Sequence, residues 1–359
     1  MFIRPEDQFL IAVPTRNRED TILKSLPSLD PLLKLKDVRI LVSENSDEPS
    51  ERVRKYCEAK GIDWIRPDTV SSMTAHWNWI LQNQKYRAIT VMTDRTWLMA
   101  DVWLQAKEIA EATGYAVCWA AGTLNARTIA GLRFGVCSAS AMTGNRYEFP
   151  LEQMDCFLRE NHVRPFLPKL LNSITFFSEF ERIKSCFGSG LTSISPDFEY
   201  AYLHSYANAH SKITFLDKLG IVTHSKKLSN GGGMDAGSTN SASQDFLQLT
   251  GLKRYDFAPF PNELDGVNAV AHELNLVLHR LGKEPYVTEN VVRNVRSARQ
   301  KQSSQWRAVR LIRTVAASAG LTSSTMIRLT SCDKPESLKS IKIPYTANLQ
   351  HILNKFTVK

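Results

Sequence analysis

The sequence predicts an α/β fold, in which a mostly parallel sheet is flanked by helices and is followed by a mainly helical C-terminal region. Two observations lead to this prediction. Over the first 120 residues, short and continuously apolar runs alternate with longer segments of helical periodicity. Strands that are apolar throughout must be covered on both faces, which is typical of a parallel sheet between two layers of helices.

The elements are expected in the following order. Strands are predicted at residues 8–15 (QFLIAVPT), 38–44 (VRILVSE), 62–65 (IDWI) and 88–93 (AITVMT). Helices are predicted between them at residues 18–29, 48–60 and 71–83, the last with Ser71 or Ser72 as its N-cap. Beyond Ala120 the pattern is mixed, with a helix at residues 195–210 and one or two strands at residues 213–225.

A Gly- and Ser-rich stretch, residues 226–243, indicates a loop that ends the mixed region. We therefore expect two units, residues 1–240 and a helical unit at residues 241–359, with AVAHELNLVLHRLG (269–282) as its clearest amphipathic helix.

Positive charge is concentrated near the C-terminus. Of the net charge of +9, residues 290–330 contribute eight Lys or Arg and no acid. This segment predicts either a solvated helix face or a basic helix that lies on an anionic membrane surface or grips an anionic acceptor. Trp306 is the only aromatic residue in it, which argues against nucleic acid as a partner.

The cellular compartment is predicted from the sequence features that the chain lacks. The first residues reach acids too early for a signal peptide, and no apolar run approaches the roughly 18 to 20 residues of a membrane span. The six cysteines have no CxxC or Cys/His spacing, which favours reduced and mostly buried thiols over a zinc site. We expect a cytoplasmic protein, peripheral on the inner face of the cell membrane if the basic segment binds lipid.

Three polar clusters follow predicted strands: PTRNR (14–18), SENS (43–46) and TDRT (93–96). In parallel sheets, ligands bind beyond the carboxyl ends of the strands. The absence of G-x-G-x-x-G after the first strand argues against a dinucleotide site, and the absence of G-x-x-x-x-G-K-[ST] excludes a P-loop. The TDRT cluster also lacks the second acid that an aspartyl-phosphate phosphatase needs.

Four segments of the chain, in this order, resemble motifs of the family 2 glycosyltransferases of GT-A fold, a Rossmann-like architecture. They are PTRNRED (14–20), VSENSDE (42–48), SSMTAHWNW (71–79) and VMTDRTWL (91–98). SPDFEYA (195–201) and SNG (229–231) are similar to the acceptor side of bacterial members, so the resemblance extends from about Gln8 to Gly233.

The resemblance implies a nucleotide site at the first two loops. Pro14, Thr15 and Asn17 would lie under the base and ribose, while Glu44 and Asn45 would hydrogen-bond to the base. Glu44 stands where the family usually has Asp. Turn formation and helix capping remain an alternative role for these residues.

The third helix and the fourth strand depart from the family pattern. His76 replaces the usual Asn beside Trp77, which is expected in the core. Asp94 keeps the first position of the D-x-D motif, whereas Arg95 and Thr96 fill the two later positions. The resemblance implies that His76, Asp94 and Thr96 contribute to the nucleotide site, with Asp94 on the side of the ribose or base.

A guanidinium cannot coordinate Mg²⁺ or Mn²⁺, so the usual metal site is expected to be damaged. Three alternatives follow: Arg95 neutralises the diphosphate of the donor, catalysis has been lost, or a metal is held weakly by Asp94 with water and His224. We favour the first, because a planar guanidinium suits phosphate oxygens.

Asp197 is implied as the catalytic base, with Glu199 as second choice. The alternative is that Asp197 is simply an acid in the first turn of a helix, where the macrodipole favours it. Lys226 and Lys227 would either close over the donor phosphates or lie in a solvated loop.

The resemblance thus implies a hexosyltransferase that moves a sugar from a nucleoside diphosphate sugar, with uridine as the family default, to a saccharide or lipid-linked acceptor. Inversion and a place in bacterial surface polysaccharide synthesis are implied in the same way. The alternative is a non-catalytic protein of the same fold that binds a nucleotide sugar or a glycan.

Overall fold

The N-terminal part of the chain folds as parallel strands alternating with helices. The computed structural model describes residues 3–68, 72–129, 132–139, 144–151, 168–188, 190–192, 196–224, 266–280, 282–284, 288–290, 292–293, 297 and 329–330. The first strands are β1 (Phe9–Thr15), β2 (Val38–Glu44), β3 (Asp63–Ile65) and β4 (Ala88–Val91). The helices between them are α1 (Glu19–Ser25) with a 3-10 continuation (Leu26–Leu32), α2 (Glu51–Lys60) and α3 (Met73–Asn83). β1 pairs in parallel with β2 and β4, and β2 pairs in parallel with β3.

Serine side chains cap two of these helices. The hydroxyl of Ser50 accepts the backbone N–H of Val53 (3.2 Å) at the start of α2. The hydroxyl of Ser72 accepts the backbone N–H of Ala75 (3.1 Å) at the start of α3, so Ser72 is the cap.

The later part of the chain adds mixed strands to the sheet, as the sequence predicts. Its elements are β5 (Thr96–Leu98), α4 (Ala100–Thr113), β6 (Ala116–Ile129), β7 (Leu132–Ala139), β8 (Arg146–Pro150), β9 (Ser173–Phe176), α5 (Phe177–Phe187), α6 (Pro196–Ala207), β10 (Lys212–His224), α7 (Gly266–Arg280) and β11 (Leu329–Thr330). The strand order is β11-β7-β6-β9-β4-β1-β2-β3, and β10 pairs with β5, β6 and β8. The predicted α/β class is confirmed.

The sheet buries both of its faces. Along β1, Leu10 and Ala12 join one hydrophobic cluster, while Phe9, Ile11 and Val13 join the other, as the alternation of a strand requires. Helices α3, α5, α6 and α7 cover the first face, and α1, α2 and α4 cover the second. Trp77 of α3 is buried in the first cluster, as expected.

Helix α7 is the longest described stretch of the predicted helical unit. Its residues Leu274, Val277 and Leu278 are buried in the same cluster as β1. The predicted boundary near Ser241, Lys226 and Lys227, and nearly all of the basic segment lie outside the described residues. None of the helices in the described ranges combines the length and the apolarity that a membrane crossing requires.

Three of the six cysteines have described side chains. Cys57 and Cys118 are buried free thiols, and Cys186 is an exposed one. Burial raises the pKa of Cys57 to about 12 and raises the pKa of Cys118 further. The predicted reduced state holds for these three.

Candidate functional site

The loops after β1, β2 and β4 meet at one edge of the sheet. The end of β1 is held between its neighbours, because Asn45 donates its N–H to the carbonyl of Thr15 (2.9 Å) and Met92 donates to the carbonyl of Ala12 (2.8 Å). The parallel register places Pro14 beside Ser43 and Thr15 beside Glu44. The predicted site residues on these loops are therefore neighbours in space.

Asp94 is a buried acid at this edge. Its Oδ2 accepts the hydroxyl of Thr15 (3.1 Å), and its Oδ1 accepts Nη1 of Arg18 (3.0 Å). The Asp94 side chain is 6% exposed and that of Arg18 is 15% exposed. Burial raises the pKa of Asp94, an effect that Arg18, Thr15 and Arg95 partly oppose.

Arg95 supplies a second guanidinium at the same place. Burial lowers the pKa of Arg95, the charge of Arg18 lowers it further, and the charge of Asp94 opposes both effects. Two guanidinium groups therefore interact with the carboxylate of Asp94 in a partly desolvated position.

The described residues do not fit a divalent metal. Both carboxylate oxygens of Asp94 already have donors. Among the residues that the structure describes, His, Cys, Asp and Glu form no group of three or more that could hold an ion. The side chain of His224 lies outside the described residues.

Thr96 links strands rather than facing a ligand. Its hydroxyl lies 2.7 Å from that of Thr93 and 3.3 Å from that of Thr223, its partner on β10. Thr96 is 1% exposed. Thr96 therefore joins β5 to β10 two residues after Asp94.

A cleft of about 640 Å³ opens between the loops after β1 and β2. Its wall includes Asn17, Arg18, Glu44, Ser46, Asp47 and Ser50. Acidic side chains predominate on this wall, since Glu19, Asp20 and Glu48 also line it. The cleft therefore suits a neutral, polar group better than an anion.

Glu44 and Asn17 line this cleft while also holding the loops. The carboxylate of Glu44 accepts the backbone N–H of Ser50 (3.0 Å) and Nε1 of Trp64 (3.1 Å). Asn17 adopts a left-handed φ of 53°, and its amide exchanges two hydrogen bonds with Asp47, at 2.7 and 3.0 Å. Glu44 and Asn17 thus hold these loops in the fold, a structural role that the sequence left open as an alternative.

His76 lies beneath the strand ends and not in the cleft. Its Nε2 is 2.7 Å from the hydroxyl of Ser43, and the residue is 3% exposed. Burial, and secondarily the charge of Arg16, lowers the pKa of His76 to about 4. The imidazole is therefore neutral at pH 7.

Asp197 reaches the same edge from the other side of the sheet. It is the second residue of α6, and its Oδ1 accepts the backbone N–H of Leu171 (3.1 Å). Residue 171 precedes β9, which runs antiparallel to β4, so it lies at the end of the sheet that carries Asp94. Burial raises the pKa of Asp197, which the charge of Lys169 and the Leu171 hydrogen bond partly oppose.

Glu199, the second-choice base, is turned into the protein interior. It is 0% exposed, and its carboxylate accepts the N–H (2.7 Å) and hydroxyl (2.8 Å) of Thr192 and Nη1 of Arg280 (2.6 Å). A carboxylate with these partners serves the packing of α6, and we do not assign it a catalytic role.

Sequence reasoning missed Arg18. The residue stands inside the PTRNR cluster, but the same residue type is common in solvated loops. Its partner Asp94 lies 76 positions further along the chain, and no local pattern signals that pairing.

Comparisons with known proteins give distant likenesses only. No protein-family model matches the chain, and no curated protein matches it. Among solved structures, residues 1–349 of S. aureus TarS in complex with UDP-GlcNAc share 13% identity with a TM-score of 0.48, covering 82% of this chain and 92% of that one. The same TarS fragment without ligand shares 14% identity with a TM-score of 0.48. A longer TarS structure gives 13% identity and a TM-score of 0.46, and this chain spans 50% of its length.

Proposed function

We propose that this protein is a glycosyltransferase that uses a nucleoside diphosphate sugar and neutralises the leaving diphosphate with arginines. The observation that carries the proposal is the pairing of Arg18 with Asp94 beside Arg95, at the carboxyl edge of a parallel sheet. The sequence resemblance to family 2 glycosyltransferases supports the same assignment.

The charges around the cleft suggest how the donor lies. The acidic wall of the cleft would repel phosphate, but the backbone and amide groups of the cleft can hydrogen-bond to a neutral base and ribose. Arg18 both lines the cleft and contacts Asp94 at its inner end. We therefore place the nucleoside in the cleft and the diphosphate against Arg18 and Arg95, with uridine as the base that the family resemblance favours.

Asp197 is the group we assign as base. The acceptor hydroxyl would give its proton to this carboxylate as its oxygen bonds to the anomeric carbon of the sugar, and the nucleoside diphosphate would leave with the bonding pair. A raised pKa makes a carboxylate a stronger proton acceptor. Such a single displacement inverts the anomeric configuration.

The acceptor and the cellular setting stay proposals from the resemblance. A saccharide or lipid-linked acceptor in bacterial surface polysaccharide synthesis would agree with a basic C-terminal segment at an anionic membrane. The second candidate is a non-catalytic binding protein. It is favoured by the lack of fit to a divalent metal in the described residues.

Nucleotide binding is the first test. Thermal unfolding would be followed with UDP, GDP, CDP and dTDP, each with Mn²⁺ and with EDTA, for the native protein and for Arg18→Met, Arg95→Met and Arg54→Met. Arg54 is a matched control, because it is an exposed arginine of α2 paired with Glu51. A ligand at one hundred times its Kd stabilises a protein by about 2.7 kcal/mol.

We expect one diphosphate to raise the unfolding temperature equally with Mn²⁺ and EDTA, and each of Arg18→Met and Arg95→Met to abolish that rise. A rise that depends on Mn²⁺ would refute neutralisation by arginines. Release of nucleoside diphosphate from the matching nucleotide sugar then separates the two functions: an enzyme loses it with Asp197→Asn while keeping the thermal shift, whereas a binding protein shows no release in any form.

A further inference from the structure

Helix α7 ends in a buried ion pair with the helix that carries Asp197. Nη1 of Arg280 lies 2.6 Å from Oε1 of Glu199, with the two side chains 13% and 0% exposed. A buried carboxylate requires charged or hydrogen-bonding partners, because its desolvation is otherwise unfavourable. Arg280 is therefore one of the groups that fix the orientation of Glu199, together with Thr192.

The same guanidinium also holds the segment between α5 and α6. Its Nη2 donates to the carbonyl of Phe187 (3.4 Å), and its Cζ lies 5.4 Å from the centre of the Phe187 ring. Glu199 in turn accepts the N–H and hydroxyl of Thr192. Arg280 thus joins the end of α5, residues 190–192 and the first turn of α6.

Asn78 of α3 holds residues 190–192 from the other side. Its Oδ1 accepts the N–H of Leu191 (2.8 Å), and its Nδ2 donates to the carbonyl of the same residue. A Cβ at Gly190 would lie 2.4 Å from Oδ1 of Asn78, so the close approach depends on a glycine there. Residues 190–192 are therefore fixed by side chains on both flanks.

Fixing Glu199 also sets the rotation of α6. Residues two apart on an α-helix are separated by about 200° around its axis, so Asp197 points away from Glu199. Asp197 accordingly meets the backbone N–H of Leu171 instead of Arg280.

We infer that Arg280 is a positioning residue for Asp197, acting through Glu199, so that the C-terminal helix α7 completes the catalytic edge. This inference rests on the proposed function, because it assigns Asp197 as the base. It gives α7 a part in the reaction although Arg280 contacts the side of α6 that faces away from that base.

The test compares Arg280→Lys, Arg280→Met and Arg54→Met in the full chain. Arg54 is the control, since it forms an exposed pair with Glu51 on α2. Two readouts are measured: steady-state transfer over a range of pH, and amide hydrogen exchange of residues 190–192 and 197–200. The thermal shift with the nucleoside diphosphate reports donor binding separately.

We expect Arg280→Met to lower kcat about 10- to 100-fold, as small misplacements of a catalytic group do, with the donor KM and the thermal shift unchanged. Amide exchange in both segments should accelerate. Arg280→Lys should restore much of kcat, because it keeps the charge, and Arg54→Met should match the native protein.

If Arg280→Met does not fold, the double variant Glu199→Gln/Arg280→Met removes both buried charges and should show the same fall in kcat. A folded variant with native kcat and native exchange would overturn the inference. If the native protein binds the nucleotide but transfers no sugar, the proposed function fails, and unchanged exchange in Arg280→Met would then separately overturn the positioning role.

Discussion

His76 offers a quantitative test of the electrostatics beneath the candidate site. Its imidazole is buried under the ends of β1 and β2, against the hydroxyl of Ser43, and its pKa is lowered from 6.5 to about 4. Between these two pH values the unfolded chain binds a proton that the folded chain does not. The free energy of unfolding must therefore fall as the pH falls through this range.

The magnitude follows from the two pKa values. For pKa values of 6.5 unfolded and about 4 folded, lowering the pH from 7 to 5 removes about 2 kcal/mol of stability through this one group. The perturbation is His76→Asn, which replaces the imidazole with a side chain that does not titrate and that is usual at this position in the resembling family.

The assay is urea unfolding of the native protein and the variant at pH 7 and at pH 5. We expect the variant to lose about 2 kcal/mol less than the native protein between these pH values, since other titrating groups cancel in the difference. His210→Asn, at an exposed turn position, should behave as the native protein does. Parallel losses in the native protein and in His76→Asn would refute the reasoning, because His76 would then protonate equally in both states.

Three further outcomes are expected. The transfer rate should rise with pH through the raised pKa of Asp197, since the base must be ionised; a rate that falls with pH in the acid range would exclude this role. Gly220→Ala should lower the free energy of unfolding by about 1 to 3 kcal/mol, because the new Cβ would lie 2.2 Å from Cδ1 of buried Trp119. Ser72→Ala should lower it by about 1 kcal/mol through loss of the cap to Ala75, and Ser72→Thr should retain most of it; urea unfolding measures both, and unchanged midpoints would contradict them.

The first half of the fold could be predicted because its signals are local. Apolar strands, helical periodicity between them and a serine cap before α3 suffice to locate those elements. Helices α4 and α5 were not anticipated, and their N-termini explain why. Helix α4 begins after Met99 without a side-chain cap. The apolar run of β9 continues directly into α5, whose start is satisfied instead by Glu179 accepting the N–H of Phe176 (2.7 Å).

The candidate site was predictable in position but not in pairing. The polar clusters after three strands had to meet at one edge, because parallel strands end together. Which groups touch there depends on contacts between distant positions. Asp94 pairs with Arg18, 76 residues away, and Glu199 pairs with Arg280, 81 residues away. The spacing of Asp197 and Glu199 indicates that they point to different sides of α6. The sequence does not show which of them faces the edge, because that depends on the partner of Glu199.

On the proposed function, Arg18 and Arg95 beside Asp94 take the place of a divalent ion at this edge. The charge of a divalent ion is balanced by the two carboxylates that hold it, and the ion must first be captured from solution. Arg18 and Arg95 carry their positive charges permanently, because guanidinium groups stay protonated at any physiological pH. Asp94 then limits the repulsion between the two arginines in the empty protein and, by accepting Arg18 together with Thr15, keeps that guanidinium oriented at the cleft. On the proposed function, the diphosphate would complete the neutralisation that Asp94 begins.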